Sequence, residues 1–176
     1  SLMIKEQRNA ALEVKRSIKS IEHVIEVIYK HLTLNPKGRI IYVGAGTSGR
    51  IGLQDGVELF PTFGWPRNRV EYIIAGGRKA VFQSIENAED DITAANHSFK
   101  KISIQSKDIV IGVAASGNTP FTCKILEKSF KKGALTISLT NNPNGNILKF
   151  ANVSIVLNTK EEVIAGSTRL KAGTSQ

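Results

Sequence analysis

After residue 38 the chain alternates between short runs of β-branched residues and longer segments with helical spacing. The runs predict strands at 39–43, 71–75, 108–113, 135–140 and 153–157. The segments between them predict helices at 48–59, 79–89, 92–101 and 119–132. Alternation with short connections is typical of a parallel sheet that carries helices on both faces. The sequence therefore predicts an α/β fold, a three-layer sandwich with a central parallel sheet.

The first 36 residues predict a helical segment ahead of that sheet. Apolar residues recur at helical intervals from residue 2 to residue 34 and stop before Asn35-Pro36-Lys37-Gly38. One long helix and two shorter ones fit this spacing equally well. We therefore divide the chain into an N-terminal helical segment, 1–36, and a sheet-based domain, 37–176.

Composition favours an ordinary globular protein. Of the 176 residues, 41% are hydrophobic and 22% are charged, which suits a single domain with one core. No apolar run approaches the roughly 18 residues of a membrane span. The N-terminal stretch mixes apolar residues with Lys, Glu and Arg, unlike the core of a signal peptide. We expect a soluble, cytoplasmic protein with no membrane partner.

Residue usage disfavours several classes of function. Cys123 is the only cysteine, and His23, His31 and His97 lack the close spacing of metal ligands. The net charge is +9, but the basic residues are scattered and form no stripe interleaved with aromatic residues. We therefore expect no disulfide, no metal site and no nucleic-acid partner, and a basic solvated surface.

Three loops rich in glycine, serine and threonine have the composition of anion-binding loops. They read Gly-Ala-Gly-Thr-Ser-Gly-Arg at 44–50, Ala-Ala-Ser-Gly-Asn-Thr-Pro at 114–120 and Gly-Ser-Thr-Arg-Leu-Lys at 166–171. Small residues let the backbone approach an anion, and a following helix adds free N–H groups and a positive dipole end. The first loop matches a dinucleotide fingerprint poorly, and no Gly-Lys-Ser/Thr phosphate loop is present. Three such loops at one sheet edge predict a phosphate site.

Together with Lys171-Ala172-Gly173-Thr174, these loops resemble the SIS (sugar isomerase) domain, which has a flavodoxin-like fold. Within it, the chain is most similar to the N-acetylmuramic acid 6-phosphate etherase family. The similarity extends from about Gly38 to Gln176 and includes 58–64, 74–77 and 86–90. So many matching segments make the resemblance specific.

The family's enzyme removes the D-lactyl ether from its substrate and gives N-acetylglucosamine 6-phosphate and D-lactate. This β-elimination and hydration needs two carboxyl groups in different protonation states, and no metal or organic cofactor. The resemblance implies Glu58 as the proton donor and Glu89 as the base at C2. It also implies substrate contacts from Gly46, Thr47, Ser48, Ser116, Gly117, Asn118, Thr119, Ser167 and Thr168.

The resemblance further implies two partners, a phosphorylated amino sugar and a second copy of the chain in a homodimer. Arg50 and Arg169 suit phosphate contacts and structural ion pairs equally well. Family members commonly carry Cys-Pro where this chain has Leu59-Phe60, and Arg where it has Asn118. Full-length relatives also continue past the Lys-Ala-Gly-Thr motif into further helices.

Two alternative functions fit the same fold. One is a non-catalytic phosphosugar-binding regulator similar to the glucokinase regulatory protein, or a truncated remnant of the enzyme. The other is an aldose–ketose isomerase, in which Glu89 would shuttle one proton between C1 and C2 of the sugar. The presence of both Glu58 and Glu89 favours the lyase over the regulator.

Overall fold

The structure is a computed structural model that describes residues 2–176, apart from the side chains of Leu2 and Lys5. Its strands are β1 (Ile40–Gly44), β2 (Val70–Ile74), β3 (Ile109–Val113), β4 (Leu135–Thr140) and β5 (Val153–Val156). Its α-helices are α1 (Leu2–Arg16), α2 (Ile18–Leu34), α3 (Gly46–Phe63), α4 (Lys79–Phe82), α5 (Ile92–Ile102), α6 (Pro120–Lys131) and α7 (Lys171–Ser175). Short 3₁₀ turns lie at Arg67–Arg69, Ala88–Asp90 and Asn146–Phe150.

The five strands form one parallel sheet in the order β2-β1-β3-β4-β5. In β1, Ile40 is level with Val70 of β2 and with Ile109 of β3. The predicted α/β fold with a central parallel sheet is confirmed. Strand order reverses between β1 and β3, and in open sheets of this kind ligands bind beyond the carboxyl ends of the strands at that point.

Helices pack on both faces of the sheet. Ile41 and Val43 of β1 are buried on the face that α5 and α6 cover, where Phe121 and Ile125 complete the core. Tyr42 points to the opposite face, where α2 and α3 lie. This alternation follows from the two-residue period of a strand and puts apolar side chains on both faces, as a buried parallel sheet requires.

Glycines allow α3 to approach the sheet closely. A Cβ atom on Gly56 would lie 2.6 Å from Cε1 of Tyr72 and 2.9 Å from Cε2 of Tyr42, so only glycine fits. The helix begins two residues before the predicted 48–59 segment and ends four residues after it. Its last turn includes Pro61, and Gly64 ends it in the left-handed conformation.

The predicted helix at 79–89 is wrong. Only Lys79–Phe82 is helical, and an irregular stretch leads into the 3₁₀ turn at Ala88–Asp90. Arg50 explains the early end, because its Nε donates to the carbonyl oxygens of Ala80 and Val81. Those acceptors are the ones that a longer helix would use for its next turn. The stretch that follows is free to line the edge of the sheet.

The N-terminal segment is two helices, which settles the choice left open by its spacing. The chain breaks at Ser17, a buried residue whose hydroxyl donates to the carbonyl oxygen of Val156 in β5 at 3.0 Å. Farther back, Glu6 of α1 pairs with Lys171 of α7. Both helices are thus tied to the sheet domain. Across residues 2–176, no helix has the length and apolar character needed to cross a bilayer.

Candidate functional site

The turn after β1 brings the backbone and a helix end close together. Ideal Cβ atoms placed on Gly44 and Gly49 would each lie within 2.8 Å of the other glycine's backbone. Gly46 has a φ of +53° and begins α3. The first amides of this 18-residue helix have no helical acceptors, so they and the positive end of the helix dipole can serve an anion.

A cavity of about 460 Å³ lies against this helix end. The first and third glycine-rich loops line it together with the irregular stretch that follows α4. Five of the residues predicted for the site meet at this cavity, namely Gly46, Thr47, Glu89, Ser167 and Thr168. It therefore combines hydroxyl donors, free helix amides and one of the two predicted catalytic carboxylates. We call it the first-loop cavity.

The two arginines of the first-loop cavity differ in what they can bind. Arg50 uses Nε on the carbonyl oxygens of Ala80 and Val81 and donates from a terminal nitrogen to that of Gln83 at 3.1 Å. Its main role in the structure is to hold the end of α4. The Arg169 side chain is exposed and has no ion-pair or hydrogen-bond partner among residues 2–176. Arg169 is thus the cation available to a ligand.

A second cavity, of about 330 Å³, adjoins the loop after β3. Ser116 lines it, and Ser167 and Thr168 belong to this cavity as well as to the first-loop cavity. Asn142 also lines it and donates from Nδ2 to the carbonyl oxygen of Ser116 at 2.8 Å. The sequence reading missed Asn142, although a polar residue just after β4 is the signal that could have identified it.

Four of the predicted substrate-binding residues have structural roles in this chain. Ser48 is buried and donates to Oε1 of Gln176 at 2.9 Å. A Cβ atom on Gly117, which has a φ of +66°, would lie 2.7 Å from the Cα of Gly145. Oδ1 of Asn118 accepts from the backbone N–H of Asn146 at 2.9 Å.

The fourth is Thr119, which precedes Pro120 at the start of α6. It occupies the predicted N-cap position, but its side chain makes no capping hydrogen bond. Neither Asn118 nor Thr119 lines the first-loop cavity or the cavity beside Ser116.

Glu58 lies away from Glu89 in the cavity structure of the chain. It is an exposed residue of α3 that lines a third cavity, of about 670 Å³, between α2 and α3. The walls of that cavity are mostly apolar, with Ile25 of α2 on one side and Ile111 of β3 below. Within one chain, the two predicted catalytic carboxylates therefore line different cavities.

Other reactive groups near the site are few. Cys123 is half-buried, and its Sγ lies 3.6 Å from the carbonyl oxygen of Gly117. Burial raises the pKa of this thiol, which keeps it protonated at neutral pH. In the described part of the chain, no three His, Cys, Asp or Glu side chains are grouped as a metal site requires.

Sequence comparison finds two kinds of relative. Residues 20–129 match the family described as the glucokinase regulatory protein N-terminal SIS domain. Over 174 residues the chain is 45% identical to the N-acetylmuramic acid 6-phosphate etherase of Bacillus mycoides strain KBAB4. That match covers 99% of this chain but only 58% of the relative, so the chain spans little more than half of the relative's length.

Solved structures share the fold. A sugar-bound protein of Escherichia coli CFT073 superposes with a TM-score of 0.67 at 20% identity, over 98% of this chain and 80% of that one. The Vibrio vulnificus NanR protein complexed with ManNAc-6P gives 0.60 at 15% identity, over 99% of this chain and 58% of that one. At such low identity these likenesses establish the fold alone.

Proposed function

Because this chain belongs to the SIS-domain family, we propose that its first-loop cavity binds the phosphate of a 6-phosphorylated amino sugar and that the chain acts as a lyase of the N-acetylmuramic acid 6-phosphate etherase type. The family model covers more than half of the chain. The 45% identity to an etherase favours that activity among those SIS proteins carry, although the match spans only 58% of the relative.

The first-loop cavity has the donors that a phosphate dianion needs. Thr47, Ser167 and Thr168 offer hydroxyl groups, and the start of α3 offers backbone amides. Arg169 adds a charge-assisted donor that no other protein group occupies among the described residues. No aspartate lines this cavity among the described residues, and its two glutamates, Glu86 and Glu89, belong to the stretch after α4.

The proposed reaction breaks the bond between C3 and the lactyl oxygen in the open-chain sugar. Glu89 takes the proton from C2, the electron pair forms a C2–C3 double bond, and the lactyl oxygen leaves with a proton from an acid. Water then adds its hydroxyl to C3 and returns a proton to C2, which releases D-lactate and N-acetylglucosamine 6-phosphate. The carboxylate of Glu89 suits the base role because a general base must reach its proton directly or through one water.

We assign the proton-donor role to Glu58, as the resemblance implies. Its place in the cavity between α2 and α3 separates it from the phosphate-binding hydroxyls of one chain. The two carboxylates are therefore tested one at a time. The observation that carries the proposal is that Glu89 shares one cavity with Thr47 and Thr168, so a carboxylate lies beside the anion donors.

The test is release of D-lactate from N-acetylmuramic acid 6-phosphate by the purified chain. Glu89→Gln is expected to lower the rate by at least about a hundredfold, as loss of a general base does. Asp90→Asn is the matched control, because Asp90 is exposed, adjoins Glu89 and lies outside the first-loop cavity. A Glu89→Gln variant as fast as the wild type would refute the base assignment. A Glu58→Gln variant as fast as the wild type would refute the donor assignment alone.

A phosphosugar-binding regulator is the second candidate. It is favoured by the separation of Glu58 and Glu89 into different cavities and by the match to a regulatory-protein SIS domain. Calorimetric titration with N-acetylglucosamine 6-phosphate distinguishes the two functions. Saturable binding without any D-lactate release would identify a regulator, whereas release together with binding would identify the lyase.

We also propose that the chain forms a homodimer. α2 carries large apolar side chains that are more than half exposed, among them Ile25 at 59%, Tyr29 at 71% and Leu34 at 81%. An apolar stripe of this kind on one helix suits burial against another subunit. Sedimentation velocity at micromolar concentration tests this, and a single monomeric species throughout would contradict it.

A further inference from the structure

A cluster of basic residues surrounds a cavity at the end of the sheet opposite to the glycine-rich loops. The cavity has a volume of about 480 Å³ and lies where the chain enters β1, β2 and β3. The side chains that matter for its chemistry are those of Lys37, Arg39, Asn68, Arg69, Ser103 and Lys107. Four of these six are cationic, and the proposed lyase uses none of them.

The negative groups at this end of the sheet are already neutralised by Arg39. The Arg39 guanidinium donates to both carboxylate oxygens of Asp108, at 3.2 and 2.7 Å, and to the carbonyl oxygens of Ile102 and Ser103 at the end of α5. Glu71, the nearest other carboxylate, lies 3.9 Å from the same guanidinium and does not line the cavity. One cation therefore offsets the acidic groups, and the others are left unopposed.

Three cationic groups of the cavity remain without a protein anion among residues 2–176. The Lys37 and Lys107 ammonium groups have no hydrogen-bond or ion-pair partner, and neither do the terminal nitrogens of Arg69. Arg69 is nevertheless held in place, because its Nε donates to the carbonyl oxygen of Gly38 at 2.9 Å and its guanidinium lies 4.2 Å from the centre of the Trp65 ring. Its free edge is thus fixed in position.

The backbone brings the two lysines to the same place. A Cβ atom on Gly38 would lie 2.3 Å from the carbonyl oxygen of Lys107, so the segments that carry Lys37 and Lys107 are in direct contact. The same carbonyl oxygen accepts a hydrogen bond from Nε2 of His31 at 3.0 Å. Like charges held together by a rigid backbone repel each other unless a counter-ion joins them.

From this arrangement we infer a second anion-binding site, at the amino-terminal edge of the sheet, for a small ligand with two or more phosphate charges. The cavity volume falls within the range of small-molecule pockets. The fork of Arg69 suits phosphate oxygens, and the lysines add point charges. Asn68 and Ser103 provide neutral polar groups beside them. This site does not depend on the proposed lyase activity or on its substrate.

Calorimetric titration of the whole chain with inorganic pyrophosphate in about 150 mM salt, where surface charges are well screened, tests the inference. We expect saturable binding that weakens by about tenfold or more in Lys37→Gln/Lys107→Gln, because each charge-assisted contact is worth about that factor. Both variant side chains remain long and polar, and Lys37 is exposed, so the double variant should fold. Lys19→Gln is the charge control, since Lys19 is in the first turn of α2, roughly 24 Å from the helix end beside Lys37.

The glycine-rich loops are the competing site for pyrophosphate, so a Thr47→Val/Thr168→Val variant is titrated in parallel. Binding that is lost in this variant but unchanged in Lys37→Gln/Lys107→Gln would overturn the inference, as would no binding to the wild type. An equal loss in Lys19→Gln would also overturn it, because general charge would then be the cause. Arg69→Ala should weaken binding with the lysine variant's sign, and circular dichroism checks that its fold is retained.

Discussion

Arg39 and Asp108 form a two-point ion pair, with Nε to Oδ1 at 3.2 Å and a terminal nitrogen to Oδ2 at 2.7 Å. The backbone N–H groups of Arg39 and Gln105 donate to the same carboxylate at 3.1 and 2.9 Å. Asp108 is completely buried, and burial alone, the largest influence, would raise its pKa. The four donors and the positive charge outweigh burial, and the pKa of Asp108 is lowered below its usual value.

Asp108→Asn should destabilise the protein by about 3 kcal/mol at pH 7, because it leaves the Arg39 guanidinium without its charge partner. A carboxylate whose pKa is lowered by folding stabilises the protein above its unfolded pKa, and that contribution is lost as pH falls through the folded pKa. The gap between variant and wild type should therefore narrow below about pH 4. Urea unfolding at pH 7 and pH 3 measures this.

Glu71→Gln is the control for that experiment. Its carboxylate is 3.9 Å from Arg39 and its side chain is 40% exposed, so the change should cost less than about 1 kcal/mol. A gap between Asp108→Asn and the wild type that stayed constant down to pH 3 would show that Asp108 does not contribute through its charge.

Gly49→Ala should destabilise the protein by about 2 kcal/mol, although alanine is the better helix former. The new Cβ would lie 2.8 Å from the carbonyl carbon of Gly44, a backbone atom that cannot move aside. Gly46→Ala meets nothing within 4 Å and should lose about 1 kcal/mol from its φ of +53°. Chemical denaturation of both variants measures the difference. A Gly49→Ala variant as stable as the wild type would contradict the close contact.

Lys171→Met should loosen the contact between α1 and α7. Lys171 is 3% exposed, and its ammonium donates to Glu6 at 2.9 Å and to the carbonyl oxygen of Glu161. Loss of these bonds should speed amide hydrogen exchange in α1 and in residues 161–171, because local opening becomes easier. Lys15→Met, an exposed change in α1, should leave exchange unaltered. Unchanged exchange in Lys171→Met would show that the ion pair does not hold the two segments together.

Arg169→Gln should weaken binding of N-acetylglucosamine 6-phosphate by about tenfold, since its guanidinium is the unpaired cation of the first-loop cavity among the described residues. Ser48→Ala should change the affinity by less than about twofold, because its hydroxyl donates to Gln176 and lies outside that cavity. Arg8→Gln, which removes an exposed charge from α1, is the matched control. Equal effects of Arg169→Gln and Arg8→Gln would argue against a direct contact.

The strands and the edge that holds the loops could be predicted because local patterns determine them. Ile40, Ile41 and Val43 are buried or half-buried by a sheet whatever their exact partners, and glycine-rich loops after such strands meet at the carboxyl edge. The end of α4 could not be predicted, because it depends on Arg50, about 30 residues away in the chain. The same holds for Ser48, whose partner Gln176 is 128 residues away.

The position of Glu58 illustrates a similar limit. A sequence motif identifies the residue, but the cavity that its side chain lines depends on how α2 packs beside α3. Such packing is a long-range property that no local spacing encodes. The match of Glu58 to a family motif therefore supports a role but does not supply the geometry of that role.

The strands of this sheet are only four to six residues long. At about 3.3 Å per residue, the two ends of the sheet are roughly 17 Å apart. In water, two unit charges at that distance interact by about 0.2 kcal/mol, and at physiological ionic strength the screening length of about 8 Å reduces this further. Anions at opposite ends of the molecule would hardly repel each other, so the sheet insulates one charged ligand from the other.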